Sequence, residues 1–274
     1  MTYVTRPVLV AGALAVVFTA PPSANHSWNN YHWARTTSSF TLQTGDNVDS
    51  TWDAYLDEAI DDWNESAVLD LLKVAGGTRP KTCKPTSGRL EVCNARYGNN
   101  GWLGIAQIWI SGSHITQGVT KLNDTYFNTS TYNTPAWRRL VTCQEVAHDF
   151  GLAHQDETFD NTNLGSCMDY TNDPDGGVGG ASNNDPSNEH PNSHDFSQLL
   201  SIYKHTDTSS TVASVLPNFA EEGGDHPGQW GRLIHANRDN RVQVYERDLG
   251  NGHRVVTHVL WADPERDRGH DHQH

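Results

Sequence analysis

The sequence predicts a mixed α+β fold, because segments with strand alternation come before and between segments with helical spacing. Residues 101–111 alternate at the period of a strand, whereas residues 135–150 read as one helix. Both faces of 101–111 are partly apolar, which predicts a strand inside or bordering a covered sheet. The order of strand, helix, several strands and helix is typical of a domain whose helices pack on a sheet.

The elements before this helix follow from local pattern. Residues 39–48 predict a first strand, and a helix is expected to begin at Ser50 or Thr51. Its apolar side chains fall on one side at helical spacing: Trp52, Tyr55, Leu56, Ile60 and Trp63. Further strands are predicted at 67–74, 89–95, 101–111 and 115–123.

Both ends of the predicted helix at 135–150 carry residues that are typical of helix termini. Thr134 suits the N-cap and Pro135 suits the first helical position, where its missing N–H costs nothing. Gly151 stands where helices commonly end in a left-handed residue. A turn there carries the following residues, including His154, back toward the helix.

The last turns of this helix carry polar side chains. Gln144 and His148 are four residues apart and share one face, with Glu145 beside them. Two side chains on that face, together with His154 after the turn, suffice to hold one metal ion.

The remaining elements are less regular. Residues 171–191 are rich in Gly, Asn, Asp and Pro and predict a long loop. Its acidic residues offer at most a weak Ca²⁺ site, because EF-hand spacing is absent, and a solvated loop is the expectation. Residues 193–205 predict a closing helix. Residues 231–262 alternate around a turn at 248–252, which predicts a small antiparallel β unit.

From Gln144 to His154 the chain reads Gln-Glu-x-x-His-x-x-Gly-x-x-His, and Ser-Cys-Met-Asp-Tyr follows at 166–170. This pattern resembles that of the metzincin zinc endopeptidases, except that Gln144 replaces the first histidine of their motif. The Met168-Asp-Tyr170 form looks like the astacin and serralysin branches, and the Gly-Leu-x-His rhythm resembles the matrixins. The resemblance covers about residues 40–205.

The resemblance implies a metzincin-like fold and chemistry. The implied fold has a twisted, mostly parallel sheet with an edge strand, an active-site helix, a Met-turn at Met168 and a C-terminal helix. The implied activity is hydrolysis of peptide or protein substrates at a Zn²⁺ ion. Glu145 would be the general base and Tyr170 would assist at the oxyanion. An extended substrate would pair with the edge strand at 105–110.

The implied metal ligands are Gln144, His148 and His154. An amide oxygen is a weaker zinc ligand than an imidazole nitrogen, so three alternatives stand beside each other. Gln144 ligates through its oxygen; Tyr170, Asp156 or water completes the site; or catalysis is lost. In the last case the chain would be a secreted pseudoenzyme that acts as a binding module.

Composition and the N-terminus point to export. The apolar run at 7–20 is short for a membrane span and predicts a signal peptide at 1–24, followed by a catalytic domain at 25–210 and an extension at 211–274. The formal net charge of -14 disfavours nucleic acid and anionic membranes as partners. The His-rich end at 269–274 predicts a disordered tail. The sequence leaves the oligomeric state open.

Four cysteines fit a secreted protein. They allow three pairings, and proximity favours Cys83 with Cys93, which leaves Cys143 with Cys167. The second pair would tie the helix that carries Gln144 to the segment that carries Met168. A Cys/His metal cluster is the alternative, but the close spacing of structural zinc sites is absent.

Overall fold

The computed structural model of the chain describes Met1 and residues 26–177, 185–214 and 223–263. The predicted signal peptide after Met1, the His-rich end and part of the loop at 171–191 lie outside the described residues. The helices are α1 (Asp53–Trp63), α2 (Asp124–Phe127), α3 (Pro135–His148), α4 (Ser193–Ile202) and α5 (Pro227–Trp230). The strands are β1 (His32–Trp33), β2 (Phe40–Asn47), β3 (Leu69–Ala75), β4 (Leu90–Ala95), β5 (Trp102–Ser111), β6 (His114–Asn123), β7 (Arg232–Ala236), β8 (Val242–Gly250) and β9 (His253–Trp261).

The nine described strands form one mixed sheet. Eight of them follow the order β3-β2-β4-β6-β5-β9-β8-β7, and β1 pairs with β6. The pairs among β1, β2, β3, β4 and β6 are parallel, whereas those from β6 through β5 to β7 are antiparallel. Helix α3 contacts β5 and β6, and α1 contacts β3 and α3, so the main core lies between these helices and the sheet.

The C-terminal strands extend this sheet, whereas the sequence predicted a small unit of their own. The predicted turn between β8 and β9 is present, but β9 also pairs with β5 along its length, from Trp102 to Ser111. The expectation of a free edge on β5 for an extended substrate is therefore wrong. Alternation identifies strands but does not tell which edge a strand will pair with.

Helix α3 begins at Pro135 as predicted and ends at His148, two residues before the predicted end at 150. The side chain of Thr134 accepts a hydrogen bond from the backbone N–H of Trp137, and Pro135 occupies the first turn. The polar residues of its last turns are buried along with its apolar ones, and Gln144, Glu145 and His148 have no exposed surface. Burial of polar groups is unfavourable without partners; the amide of Gln144 has its partner on the Met-turn, and the imidazole of His148 has its partners in the segment after the helix.

Both disulfides join the predicted partners, Cys83 with Cys93 and Cys143 with Cys167. The second bond links α3 to the segment before Met168. No helix among the described residues is both long and apolar enough to cross a membrane.

We expect the double replacement Cys143→Ala and Cys167→Ala to lower the free energy of unfolding by about 3 kcal/mol, because the open chain regains loop entropy. Urea unfolding checks this value. The matched control removes Cys83 and Cys93 and should lower stability without lowering the zinc content that the resemblance implies, whereas removal of Cys143 and Cys167 should lower both. Equal zinc content in the two double variants would contradict a bracing role.

Candidate metal centre

His148 and His154 meet at the C-terminal end of α3. Gly151 has φ of 99°, and a Cβ at this position would lie 2.2 Å from the backbone oxygen of Tyr31. The turn therefore requires glycine for its conformation and for the close contact. It returns the chain so that Nε2 of His154 lies 2.9 Å from Nε2 of His148. The pair expected from the spacing is thus brought together.

The other ring nitrogen of each histidine is held by an acceptor. Nδ1 of His148 lies 2.7 Å from the backbone oxygen of Leu152, and Nδ1 of His154 lies 3.1 Å from Oε1 of Glu157. Because both acceptors are oxygens, each Nδ1 is the donor and each Nε2 keeps a free lone pair. Glu157 is in turn bound by His235, whose Nε2 lies 2.8 Å from Oε2. Such outer partners orient metal-ligating imidazoles.

A third histidine comes from the C-terminal extension. His258 lies on β9 opposite Ala106 of β5, and its ring centroid is 3.9 Å from that of His148 and 4.4 Å from that of His154. One ligand nitrogen from each of the three side chains lies within 4.8 Å of the other two. His258 is fully buried. The chain thus places three imidazoles at one point, although its helical motif supplies only two.

Glu145 lies beside this cluster. Its carboxylate is fully buried, and neither oxygen has a hydrogen-bond partner among the described residues. Oε2 lies 3.9 Å from Nδ1 of His258. A Cβ on Gly104 of β5 would lie 2.8 Å from Cγ of Glu145, so the glycine makes room for this side chain. The fold therefore keeps a buried carboxylate next to the imidazoles.

Gln144 is connected to the Met-turn. Its Nε2 donates a 2.8 Å hydrogen bond to the backbone oxygen of Cys167, while Oε1 has no partner among the described residues. This hydrogen bond joins the same two segments as the Cys143–Cys167 disulfide. Two adjacent residues of α3 thus fix the position of the segment that precedes Met168.

Tyr170 and Met168 are both buried. The hydroxyl of Tyr170 lies 3.4 Å from Nε2 of His258, and its ring centroid is 4.2 Å from that of His154. Met168 is fully buried, and its backbone oxygen accepts a hydrogen bond from the N–H of Gln155. The Met-turn therefore packs next to the histidines, and the phenol of Tyr170 lies beside them.

Asp156, an alternative third ligand, is engaged elsewhere. Its Oδ1 accepts hydrogen bonds from the backbone N–H of Thr158 and from Nδ2 of Asn161. The carboxylate thus stabilises the following loop.

Burial sets the protonation of the cluster. It lowers the pKa of His148 and of His258 well below the ordinary value, and the neighbouring His154 adds to this effect. Burial likewise lowers the pKa of His154, although Glu157 opposes the shift. The neutral imidazole is the form that binds metal. Burial, with the nearby Asp149 charge, raises the pKa of Glu145 well above its usual range. A bound cation would favour its ionised form again.

These residues fit a zinc ion. Three buried imidazoles with neutral protonation match the nitrogen ligands that zinc prefers, and the three-histidine set leaves a fourth position for water or substrate. The buried carboxylate of Glu145 has no hydrogen-bond partner among the described residues, and a nearby cation would stabilise its charge. The chemistry of this donor set is that of a catalytic rather than a closed structural site.

The N-terminal segment covers the cluster. The ring of Trp28 stacks on His148 with a centroid distance of 5.0 Å and an interplanar angle of 5°. A cavity of about 310 Å³ adjoins this wall. Its lining residues are Ser27, Trp28, Asn29, Tyr31, Ala153, Glu157, Ile234, His235, Val244 and Val256. Two of these residues contact the cluster: Trp28 stacks on His148, and Glu157 is the partner of His154.

Sequence reasoning missed His258, Glu157 and Trp28. Only His258 had a local signal. It stands between Val256 and Leu260 on one face of an apolar strand, and an ionisable residue at such a position is exceptional. That signal marks an unusual residue but does not tell which cluster it joins.

No family model matches the chain, and no curated protein matches it. Among solved structures, the chain is similar to high choriolytic enzyme 1, a hatching enzyme zinc-protease from Oryzias latipes, the medaka fish. The similarity has 12% sequence identity and a TM-score of 0.36, and it covers 66% of this chain and 99% of that one. A TM-score this low does not establish a shared fold, so function must be inferred from the histidine cluster itself.

Proposed function

We propose that this chain is a secreted metalloendopeptidase that holds zinc with His148, His154 and His258 and uses Glu145 as general base. The observation that carries the proposal is the convergence of three buried imidazoles beside a buried carboxylate without a hydrogen-bond partner among the described residues. The two disulfides agree with an oxidising compartment. A peptide or protein is the proposed substrate.

When bound, zinc would polarise the scissile carbonyl and lower the pKa of a coordinated water to about 7. In this proposal Glu145 takes the proton of the attacking water on a carboxylate oxygen and passes it to the leaving amine nitrogen. Because neither carboxylate oxygen accepts a hydrogen bond from the described part of the chain, both oxygens are available for this transfer.

Tyr170 is the proposed donor to the oxyanion. Burial, together with the charges of Glu145 and Glu157, raises the pKa of its phenol well above the ordinary value, so it keeps its proton. A protonated hydroxyl 3.4 Å from Nε2 of His258 is close enough to the ligands to stabilise negative charge on the substrate oxygen.

A second candidate function is a binding module without turnover. The stacking of Trp28 on His148 and the full burial of that imidazole favour it, because hydrolysis requires substrate to reach the ligands. In this role the cavity beside Trp28 would take a ligand, and the metal would have a structural part.

The decisive experiment combines zinc analysis with cleavage of an unfolded protein substrate, with and without chelator. We expect bound zinc and cleavage that chelator abolishes. Zinc without cleavage would favour the binding module, and absence of both would remove the metal centre.

The structure-based ligand set makes a specific prediction for Gln144. Because His258 completes the imidazoles, Gln144→Ala should leave zinc affinity within about tenfold of wild type and act mainly through the Met-turn. Isothermal titration with zinc measures the affinity. A severe loss, comparable to that of His148→Ala, would restore the expectation that Gln144 is a ligand.

A further inference from the structure

A second group of metal-binding side chains lies where β1, the start of β6 and the segment after α4 meet. It comprises His32, His114, His205 and Asp207, here called the His32 cluster. Oδ1 of Asp207 lies 3.5 Å from Nε2 of His32, 3.3 Å from Nε2 of His114 and 3.6 Å from Nε2 of His205. Nε2 of His205 also lies 3.2 Å from Nε2 of His32.

Four of the six distances between the ligand atoms are close to those of a tetrahedral ligand set. Ligand atoms about 2.0–2.1 Å from a tetrahedral zinc ion lie about 3.3 Å from one another. The four measured distances scatter closely around this value. The ligand atoms of His32, His114 and Asp207 all lie within 4.8 Å of each other, and Nε2 of His205 is close to two of the three, His32 and Asp207.

Two members of the cluster are oriented by bonds outside it. Nδ1 of His32 lies 2.7 Å from the backbone oxygen of Asn30 and must donate to it, which leaves the lone pair on Nε2 facing the cluster. Oδ2 of Asp207 accepts a 3.0 Å hydrogen bond from the backbone N–H of Arg35, which leaves Oδ1 for the histidines. Outer partners of this kind position metal ligands.

With Nδ1 of His32 donating to Asn30, hydrogen bonds alone satisfy the contact of its Nε2 with Asp207 only if His32 carries a second proton. Neutral His32 presents a lone pair at Nε2 to a carboxylate oxygen, which also offers only lone pairs. Such a contact requires a cation between the two atoms or an additional proton on the imidazole. A metal ion supplies the positive charge for all four side chains at once.

We infer that His32, His114, His205 and Asp207 form a structural zinc site, separate from the proposed catalytic centre. Four protein ligands would close the coordination sphere, as in structural rather than catalytic zinc sites. The inference does not rest on the proposed function, because it shares no residue with that centre.

The site would fasten three distant segments. His32 and His114 are register partners of the parallel pair β1 and β6, and the backbone N–H of Asp207 donates to the oxygen of Arg35. Next to His32, the indole N–H of Trp33 donates to the backbone oxygen of Asp149, directly after α3. A metal at the His32 cluster would therefore fix the position of Trp33, which is bonded to the residue that follows α3.

The test compares zinc content of full-length variants after saturation with zinc and exhaustive dialysis. His205→Asn changes a side chain that is 46% exposed, and Asp207→Asn keeps an oxygen for the N–H of Arg35, so both variants should fold. The matched control is His190→Asn, since His190 is also exposed and pairs with a carboxylate, that of Asp62. The His-rich end is present in every protein, so zinc held there cancels.

We expect His205→Asn and Asp207→Asn to lose about one zinc ion per chain relative to His190→Asn. Zinc should also raise the melting temperature of the control at concentrations that leave the two variants unchanged. Equal zinc content in all three proteins would overturn the inference. A loss of stability in the variants that is the same with and without zinc would also overturn it. That result would show that protonated side chains, and not a metal ion, hold the cluster together. Retention of proteolysis or its absence has no bearing on either readout.

Discussion

Replacement of Glu145 by glutamine is expected to lower kcat for peptide hydrolysis by about 100- to 10,000-fold, with bound zinc near the wild-type level. Glutamine has nearly the same shape but cannot accept the proton of the attacking water. The carboxylate is proposed as base and not as ligand, so its loss leaves the three imidazoles in place. Cleavage kinetics on an unfolded protein, together with zinc analysis of the same sample, measure both quantities.

The matched control for this variant is Glu65→Gln, at an exposed position outside the site. Its kcat and zinc content should equal those of the wild type. If Glu145→Gln releases the zinc, the carboxylate is a ligand; if it cleaves at the wild-type rate, another group is the base. Either result would contradict the role assigned to Glu145.

Replacement of His258 by alanine should weaken zinc binding by about a thousandfold, since three ligands share an apparent binding free energy of about 10–16 kcal/mol. Proteolysis should fall with occupancy. Alanine also leaves a cavity in β9, so His258→Phe serves as a second variant that keeps a ring in the strand while it removes the nitrogens. Zinc titration of both variants measures the effect.

The surface variant His190→Ala is the control for His258, because it removes an imidazole that pairs with Asp62. It should bind zinc as the wild type does. Tight zinc binding in both His258 variants would show that β9 contributes no ligand. The melting temperature without zinc separates a defect in folding from a defect in binding.

The features of the fold and the site that the sequence predicts correctly are those whose conformation depends on residues nearby in the chain. The start of α3 follows from Thr134 and Pro135, and the return of His154 follows from the glycine turn. The pairing of Cys143 with Cys167 followed from sequence proximity of the other two cysteines. In each case a local rule restricts the backbone to few alternatives.

The third imidazole could not be predicted in the same way. His258 reaches the site only because β9 pairs with β5 in the register that places it opposite Ala106. A shift of one residue would turn it to the other face, and alternation alone sets neither the partner strand nor the register. The His32 cluster has the same origin, since the register of β1 on β6 places His32 beside His114.

The central claim is that the extension supplies the ligand that the helical motif lacks. The most direct measurement is a crystal structure of the zinc-loaded protein with anomalous diffraction at the zinc absorption edge. We predict a peak about 2.0–2.1 Å from one nitrogen each of His148, His154 and His258. A peak bound by His148, His154 and the amide oxygen of Gln144, with His258 outside coordination distance, would contradict the claim.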